Sequence, residues 1–137
     1  MDTESQHALR FIESFLAVHR MFRDSALQLK DADEVARATQ LFGHRVGENP
    51  TTRWFDLCVF VELHSGNTLD WHLEVSWNQK WLIQCAVNKH DLHEEGSHII
   101  IAFPDKEAET LDAAIDSLLN AAKQLLESID SINLADH

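Results

Sequence analysis

Residues 53–88, RWFDLCVFVELHSGNTLDWHLEVSWNQKWLIQCAVN, decide the fold, because apolar and polar side chains alternate along this stretch with a period of two. That alternation is typical of β-strands that bury one face. Two three-residue turns, Ser65-Gly66-Asn67 and Asn78-Gln79-Lys80, divide the stretch into three strands. Because both turns preserve parity, the odd-numbered residues of all three strands share one face, the inner face, and the even-numbered residues share the outer face. The inner face is predicted to hold Phe55, Leu57, Val59, Val61, Leu63, Leu69, Trp71, Leu73, Val75, Trp77, Trp81, Ile83, Cys85 and Val87.

A fourth strand is predicted at HIIIAF, residues 98–103. Its inner residues would be Ile99, Ile101 and Phe103. The turn lengths predict that Val61 lies opposite Trp71 and that Val75 lies opposite Ile83. The sheet is therefore expected to be a four-stranded antiparallel meander.

Helical periodicity flanks the strands on both sides. Residues 4–23 carry apolar residues at spacings of three and four, and residues 31–44, DADEVARATQLFGH, predict a short second helix capped by Asp31 or Asp33 and ended at Gly43. A linker follows over residues 44–52, and a long final helix is predicted to begin at Pro104 and Asp105. The apolar stripes are Ala8, Phe11, Ile12, Phe15, Leu16, Val18 and Phe22 in the first helix, Val35, Ala38 and Phe42 in the second, and Leu111, Ile115, Leu118, Ala122, Leu125, Ile129 and Ile132 in the last.

The predicted architecture is a single α+β domain spanning residues 1–137, with two layers. An N-terminal helix and a short helix precede the four-stranded meander, and a long C-terminal helix packs with them on one face of the sheet. A chain of 137 residues with 45% hydrophobic residues is large enough to fill such a core. The heptad-like seam of the last helix is expected to pack within the chain rather than against a partner helix.

The chain is strongly acidic, with a formal net charge of −12. Residues 1–47 hold seven acids and six bases, whereas residues 48–103 hold eight and three, and residues 104–137 hold eight and two. This charge disfavours nucleic acid or an anionic membrane as a partner and favours a basic protein. Without a signal-peptide pattern or a membrane-length apolar run, and with only two cysteines, the protein is expected to be cytoplasmic.

The outer face of the predicted sheet is unusual for a solvated surface, because large apolar side chains lie among acids. Apolar anchors inside a charged rim are typical of protein interfaces. The face would hold six partner-binding residues, Trp54, Phe60, His72, Glu74, Leu82 and Ile100. Alternatively, the N-terminal segment covers this face with the short helix as a lid.

The stretch NKHDLHEEGSH, residues 88–98, is the candidate metal site of the chain. Its predicted zinc ligands are His90, His93, Glu94 and His98, since zinc needs three or four converging donors. The same stretch also suits a polar connection between strands, because it contains ordinary turn residues, namely Asp91, Glu94, Glu95, Gly96 and Ser97. We favour the connection, and no cofactor is predicted.

A Cys/His/carboxylate group is the one candidate for catalysis. The predicted register sets Cys58 opposite Glu74 and diagonal to His72. Neighbouring acids raise a thiol pKa, and a position in the middle of a sheet offers no oxyanion hole, so no catalytic role is predicted. Cys85 is expected to be an unreactive core thiol.

These features favour a non-enzymatic protein-binding domain. In size and charge the chain resembles small acidic bacterial binding proteins such as toxin-immunity proteins and secretion chaperones, which implies an immunity-, inhibitor- or chaperone-like function. A homodimer, formed through the outer face or the final helix, is the simplest assembly. The alternative is a small metal- or ligand-binding protein, or an enzyme, that uses the loop from His90 to His98.

Overall fold

The computed structural model of the protein describes residues 3–46 and 53–137. It confirms the α+β class: an N-terminal helix, an antiparallel sheet and a C-terminal helix follow one another along the chain. The predicted linker falls largely on residues 47–52, outside the described residues. The elements are α1 (Thr3–Leu29), β1 (Val35–Val46), β2 (Arg53–Leu63), β3 (Thr68–Trp77), β4 (Trp81–His90), β5 (His98–Ala102), β6 (Lys106–Ala108) and α2 (Leu111–Glu127), followed by short 3-10 helices at Ser128–Ser131 and Leu134–Asp136.

The described strands form one antiparallel sheet in the order β1-β2-β3-β4-β5, and β6 pairs with β4. Val75 lies opposite Ile83, as predicted. Val61, however, lies opposite Leu69 rather than Trp71. The first turn is displaced by one residue rather than shortened, because the Leu63 N–H donates to the Asn67 carbonyl (2.9 Å) and the turn then consists of His64, Ser65 and Gly66, with Gly66 at φ 93°. A shift of two residues keeps parity, so the inner and outer faces of β2, β3 and β4 are as predicted.

The predicted short helix is wrong, because residues 35–46 form the edge strand β1. A bulge between Val35 and Arg37 explains the error. It sets Val35 and Ala38 opposite Leu63 and Val61, so two residues three apart both face the core and are both buried. That spacing mimics a helical period, although it arises from an irregular strand.

A second bulge, in the β4–β5 register between Val87 and Asn88, changes which residues of β5 face the core. Ile101 lies opposite Val87 on the inner face, but Ile99 lies opposite Asn88 on the outer face and is 60% exposed. Ile100 instead packs against the core, so its predicted place on the outer face is wrong. The prediction of Ile99 as an inner residue is wrong for the same reason.

The final helix begins at Leu111, later than predicted, because the preceding residues form β6 beside β4. Thr110 caps the helix: its side-chain oxygen accepts a hydrogen bond from the Ala113 N–H at 3.2 Å. Four of the seven predicted seam residues of α2 are buried inside the chain, namely Ile115, Leu118, Ala122 and Leu125.

Both helices pack on the inner face of the sheet. Val18 and Phe22 of α1 and Leu118 and Leu125 of α2 join the inner residues of β2, β3 and β4 in one buried core. The side chain of Ala8 lies outside the described residues. Since α1 lies on the inner face and the short helix is a strand, the alternative in which the N-terminal segment covers the outer face is wrong. Within the described ranges, no helix is long and apolar enough to cross a membrane.

Candidate protein-binding face of the sheet

The outer face is built by alternate residues of neighbouring antiparallel strands. Trp54 lies opposite Ser76, Phe60 lies opposite Asp70, and Leu82 lies opposite Ser76 on the other side of β3. Both helices pack on the inner face, and no other described element forms a layer over the outer one. A sheet with one helix-covered face and one bare face normally shows polar side chains on the bare face.

Apolar side chains nevertheless recur across this face. Trp54, Phe60 and Leu82 lie where the sequence predicted them, and each is partly exposed. Two residues extend the group: Leu41 of β1, opposite Cys58 and 50% exposed, and Ile99 of β5. The sequence pattern indicates neither residue, because it predicts a helix over β1 and because the β5 bulge reverses the expected parity.

Acidic side chains surround these apolar groups. Strands β2 and β3 place the carboxylates of Asp56, Glu62, Asp70 and Glu74 on the outer face. Asp56 lies directly opposite Glu74, which sets two negative charges side by side on neighbouring strands. Arg37 of β1 pairs with Glu62 at 3.1 Å, and Asp70 accepts a hydrogen bond from the Asn88 amide at 2.9 Å. The centre of the face therefore carries net negative charge.

A shallow cavity of about 270 Å³ opens on the same face where β3, β4 and β5 meet. His72, Glu74 and Asp105 contribute its ionisable groups, and the Gln84 amide donates to Asp105 Oδ2 at 3.3 Å. The remaining lining is mostly apolar and consists of Cys85, Ala86, Ile99, Ala102 and Phe103. A cavity with an apolar wall and two carboxylates suits a lysine or arginine side chain, whose aliphatic stem and cationic head need both surroundings.

Cys58 lies opposite His72, not opposite Glu74 as predicted, because the β2–β3 register is shifted by two residues. Burial, followed by the negative charges of Asp70 and Asp56, raises the pKa of the Cys58 thiol to about 12. At neutral pH the sulfur is therefore a neutral thiol rather than a nucleophilic thiolate. Burial and then Asp105 raise the pKa of the Cys85 thiol to about 12 as well. These environments match an unreactive role for both sulfurs.

The histidine-rich loop brings together only part of the predicted metal site. The side-chain donor atoms of Asp91, Glu94 and His98 all lie within 4.8 Å of one another, whereas His90 and His93 are not in this group. The His90 ring nitrogen Nδ1 lies 2.7 Å from the Gly96 carbonyl oxygen, so it supports the loop backbone. Asp91, which the sequence suggested as a turn residue, also pairs with the Lys89 ammonium at 3.3 Å. A bound cation would have to compete with this lysine.

Comparison of this chain with protein-family models, with curated protein sequences and with solved structures finds no match.

Proposed function

We propose that this chain binds another protein through the outer face of its sheet, in the manner of an immunity protein, an inhibitor or a chaperone. The observation that carries the proposal is a sheet face on which large, partly exposed apolar side chains lie among carboxylates and over which the described residues place no second layer. Burying such apolar groups against a partner is favourable, and the polar rim then sets orientation.

The charge of the outer face favours a basic partner. The outer face concentrates Asp56, Glu62, Asp70 and Glu74 on two neighbouring strands. A basic partner surface would be attracted to this face before contact, which raises the association rate at low ionic strength. Added salt is expected to slow association, because it screens charges separated by more than about 10 Å.

The cavity beside Glu74 and Asp105 would anchor the complex. A lysine or arginine side chain inserted there would place its stem against Ala86, Ala102 and Phe103 and its charge near the two carboxylates. Long basic side chains held in desolvated pockets are frequent hot spots of interfaces. If the partner were a basic toxin or nuclease, the chain would inhibit it by covering its basic surface.

The two cysteines support a location for this activity. Both are free cysteines. Cysteines without a disulfide are compatible with a reducing compartment, so we propose that the complex forms in the cytoplasm.

The test compares matched charge reversals. Immobilised wild type, Glu74→Lys and Asp116→Lys would be used for quantitative capture from cell extract, followed by titration of the captured protein in purified form. Asp116 lies exposed on α2, away from the outer face, so its reversal changes the net charge equally. We expect Glu74→Lys to lower recovery at least about tenfold and Asp116→Lys to leave it near wild type. Equal recovery with all three proteins would contradict the proposal.

Phe60→Ala separates apolar contact from charge. It retains the net charge but removes an anchor on the outer face, so it should raise the dissociation rate more than it lowers the association rate. Unchanged kinetics would show that Phe60 is not in the interface.

Metal binding is the second candidate function, and the convergence of Asp91, Glu94 and His98 is the observation that favours it. Isothermal titration of zinc into wild type and His98→Ala would test it, with His93→Ala as the matched control. Uptake by wild type and His93→Ala, with none by His98→Ala, would support this site. Absence of uptake by wild type, or equal uptake by all three proteins, would contradict it.

A further inference from the structure

A second apolar surface lies at the side of the molecule, apart from the outer face. It is formed by Leu9, Ile12 and Leu16 of α1, which are 41%, 52% and 51% exposed, and by Phe42 of β1, which is 52% exposed. Spacings of three and four place the three α1 residues in one stripe. We call these four residues the α1–β1 flank.

Contacts of neighbouring residues show which side of α1 carries the stripe. Phe11 and Phe15 face the core, and a helix turns about 100° per residue, so the residues before and after each phenylalanine lie on opposite flanks. Arg10, just before Phe11, pairs with Asp112 of α2. Ile12 and Leu16, just after Phe11 and Phe15, therefore lie on the side away from α2.

That side is where β1 ends the sheet. The Gln40 amide of β1 donates to the His19 carbonyl of α1 at 3.0 Å, and the Phe15 ring meets the Phe42 ring edge-on at 5.7 Å between centroids. The exposed stripe of α1 and the free edge of β1 are therefore neighbours along one side of the molecule. Phe42, opposite Leu57, lies on the same inner side of the sheet as α1.

The edge of β1 has few of the features by which monomeric proteins block edge pairing. Among the described strands β1 pairs only with β2, and it runs for 12 residues. Its stretch 38–44, ATQLFGH, contains no proline, lysine, arginine, aspartate or glutamate. Exposed edges usually carry such residues because unpaired backbone N–H and C=O groups otherwise bind another strand. The bulge of β1 lies at one end, between Val35 and Arg37, and leaves this stretch regular.

The distribution of charge along the chain favours a second copy of this chain as the partner at the α1–β1 flank. Two copies of a chain with a net charge of −12 repel each other, and they approach best through the part with the least net charge. Residues 1–47, which contain α1 and β1, hold seven acids and six bases, whereas residues 48–137 hold sixteen acids and five bases. A basic partner would be drawn to the acidic remainder, so the nearly neutral flank suits a second copy.

We propose that the chain forms a two-fold homodimer in which the β1 strands of two copies pair antiparallel and the α1 stripes pack against each other. A two-fold axis perpendicular to the sheet makes this contact isologous and leaves both α1 helices on the same side of one continuous sheet. The 27 residues of α1 and the 12 residues of β1 each extend about 40 Å. A side of that length and about 20 Å deep offers on the order of 800 Å² per copy, the usual size of a stable interface.

This dimer leaves the outer face of each copy exposed and doubles the area available to a partner. The two outer faces become one surface on the side of the joined sheet opposite the helices. It differs from the assemblies expected from the sequence, which used the outer face or the seam of α2. Dimerisation and binding of a basic partner are therefore compatible and can be tested separately.

The experiment is light scattering coupled to size exclusion on the full chain, at roughly micromolar to hundred-micromolar concentrations, the range in which proteins commonly associate. Wild type should have twice the 15.7 kDa chain mass. Ile12→Glu combined with Leu16→Glu should give a monomer, since it buries charges in the contact and raises the dimer dissociation constant at least about a hundredfold. Ala17→Glu is the control, because Ala17 is exposed but follows Leu16 by about 100° around the helix, away from the stripe.

Phe42→Lys provides a second test at the strand edge if the double variant loses its circular-dichroism spectrum, because Phe42 belongs to the α1–β1 flank and is 52% exposed. This lysine would place a charge in the contact, so it should also yield a folded monomer. A monomeric wild type across the concentration range would overturn the proposal. So would a dimer that persists in a folded Ile12→Glu/Leu16→Glu or Phe42→Lys protein. Retention of the dimer by Trp54→Ala, on the outer face, would support the separation of the two surfaces.

Discussion

One substitution made on opposite faces of the sheet tests whether the outer face is bare. Leu73 of β3 lies on the inner face and is 0% exposed, whereas Leu82 of β4 lies on the outer face and is partly exposed. Leu73→Ala and Leu82→Ala remove the same atoms from neighbouring strands. A difference in the free energy of unfolding between them therefore reports the surroundings of the two leucines.

The magnitudes follow from burial. Leu73 is enclosed between the sheet and the helices, so Leu73→Ala should leave a cavity and lower the free energy of unfolding by about 3–5 kcal/mol. Leu82 faces solvent on one side and loses only part of its transfer free energy, which gives about 1 kcal/mol. The expected gap is at least about 2 kcal/mol, a large fraction of the stability of a typical domain.

Urea denaturation at low protein concentration measures this gap. With an m-value of about 2 kcal/mol per molar urea, the two midpoints should differ by about 1 M. The m-values must agree with that of wild type, so that the midpoints report stability alone. If Leu82→Ala were as destabilising as Leu73→Ala, another part of the chain would cover the outer face, and the proposed binding surface would not exist.

Three further outcomes are expected. Iodoacetamide should label Cys58 and Cys85 in the native protein at least about a hundredfold more slowly at pH 8 than in urea, since a pKa of about 12 leaves on the order of one thiolate in ten thousand; equal rates would refute the buried environments. Thr110→Ala should cost about 1 kcal/mol by removing the cap of α2, as measured by thermal unfolding, whereas Glu109→Ala should cost little. The affinity for a basic partner should fall as ionic strength rises, because salt screens the attraction between the acidic outer face and the partner, and a titration at increasing sodium chloride concentration measures this dependence; affinity that is independent of salt would argue against an electrostatic interface.

Sequence patterns predicted the structure well wherever the periodicity of a single strand or helix is enough to assign it. The alternation through Val59, Trp71 and Val75 assigned β2, β3 and β4 and both of their faces, since side-chain direction in a regular strand depends only on position. A register shift of two residues leaves each side chain on the same face of the sheet. The wrong partner predicted for Val61 therefore did not affect the assignment of the two faces. Helical spacing likewise identified the core-facing residues of α2 and, in α1, Phe11, Phe15, Val18 and Phe22. The predicted stripe of α1 was too wide, because Ile12 and Leu16 are exposed.

The candidate site was harder to predict because bulges disturb the period of two. Leu41 and Ile99 belong to the outer face, but each lies in a strand with a bulge whose place depends on the neighbouring strand. The pairing of Cys58 with His72, and the convergence of Asp91 with Glu94 and His98, likewise depend on register and on loop closure. No spacing within a single strand contains that information.

The sequence by itself determined that this chain has one apolar and one mixed sheet face, two amphipathic helices and an acid-rich remainder. Those properties follow from local periodicity and composition, which are independent of how the elements assemble. Only the tertiary structure decided that both helices lie on the inner face, that residues 35–46 form an edge strand, and that Ile12 and Leu16 remain exposed beside it. Each of these depends on contacts between distant segments, because an element's apolar surface is buried only when the fold supplies another surface to cover it.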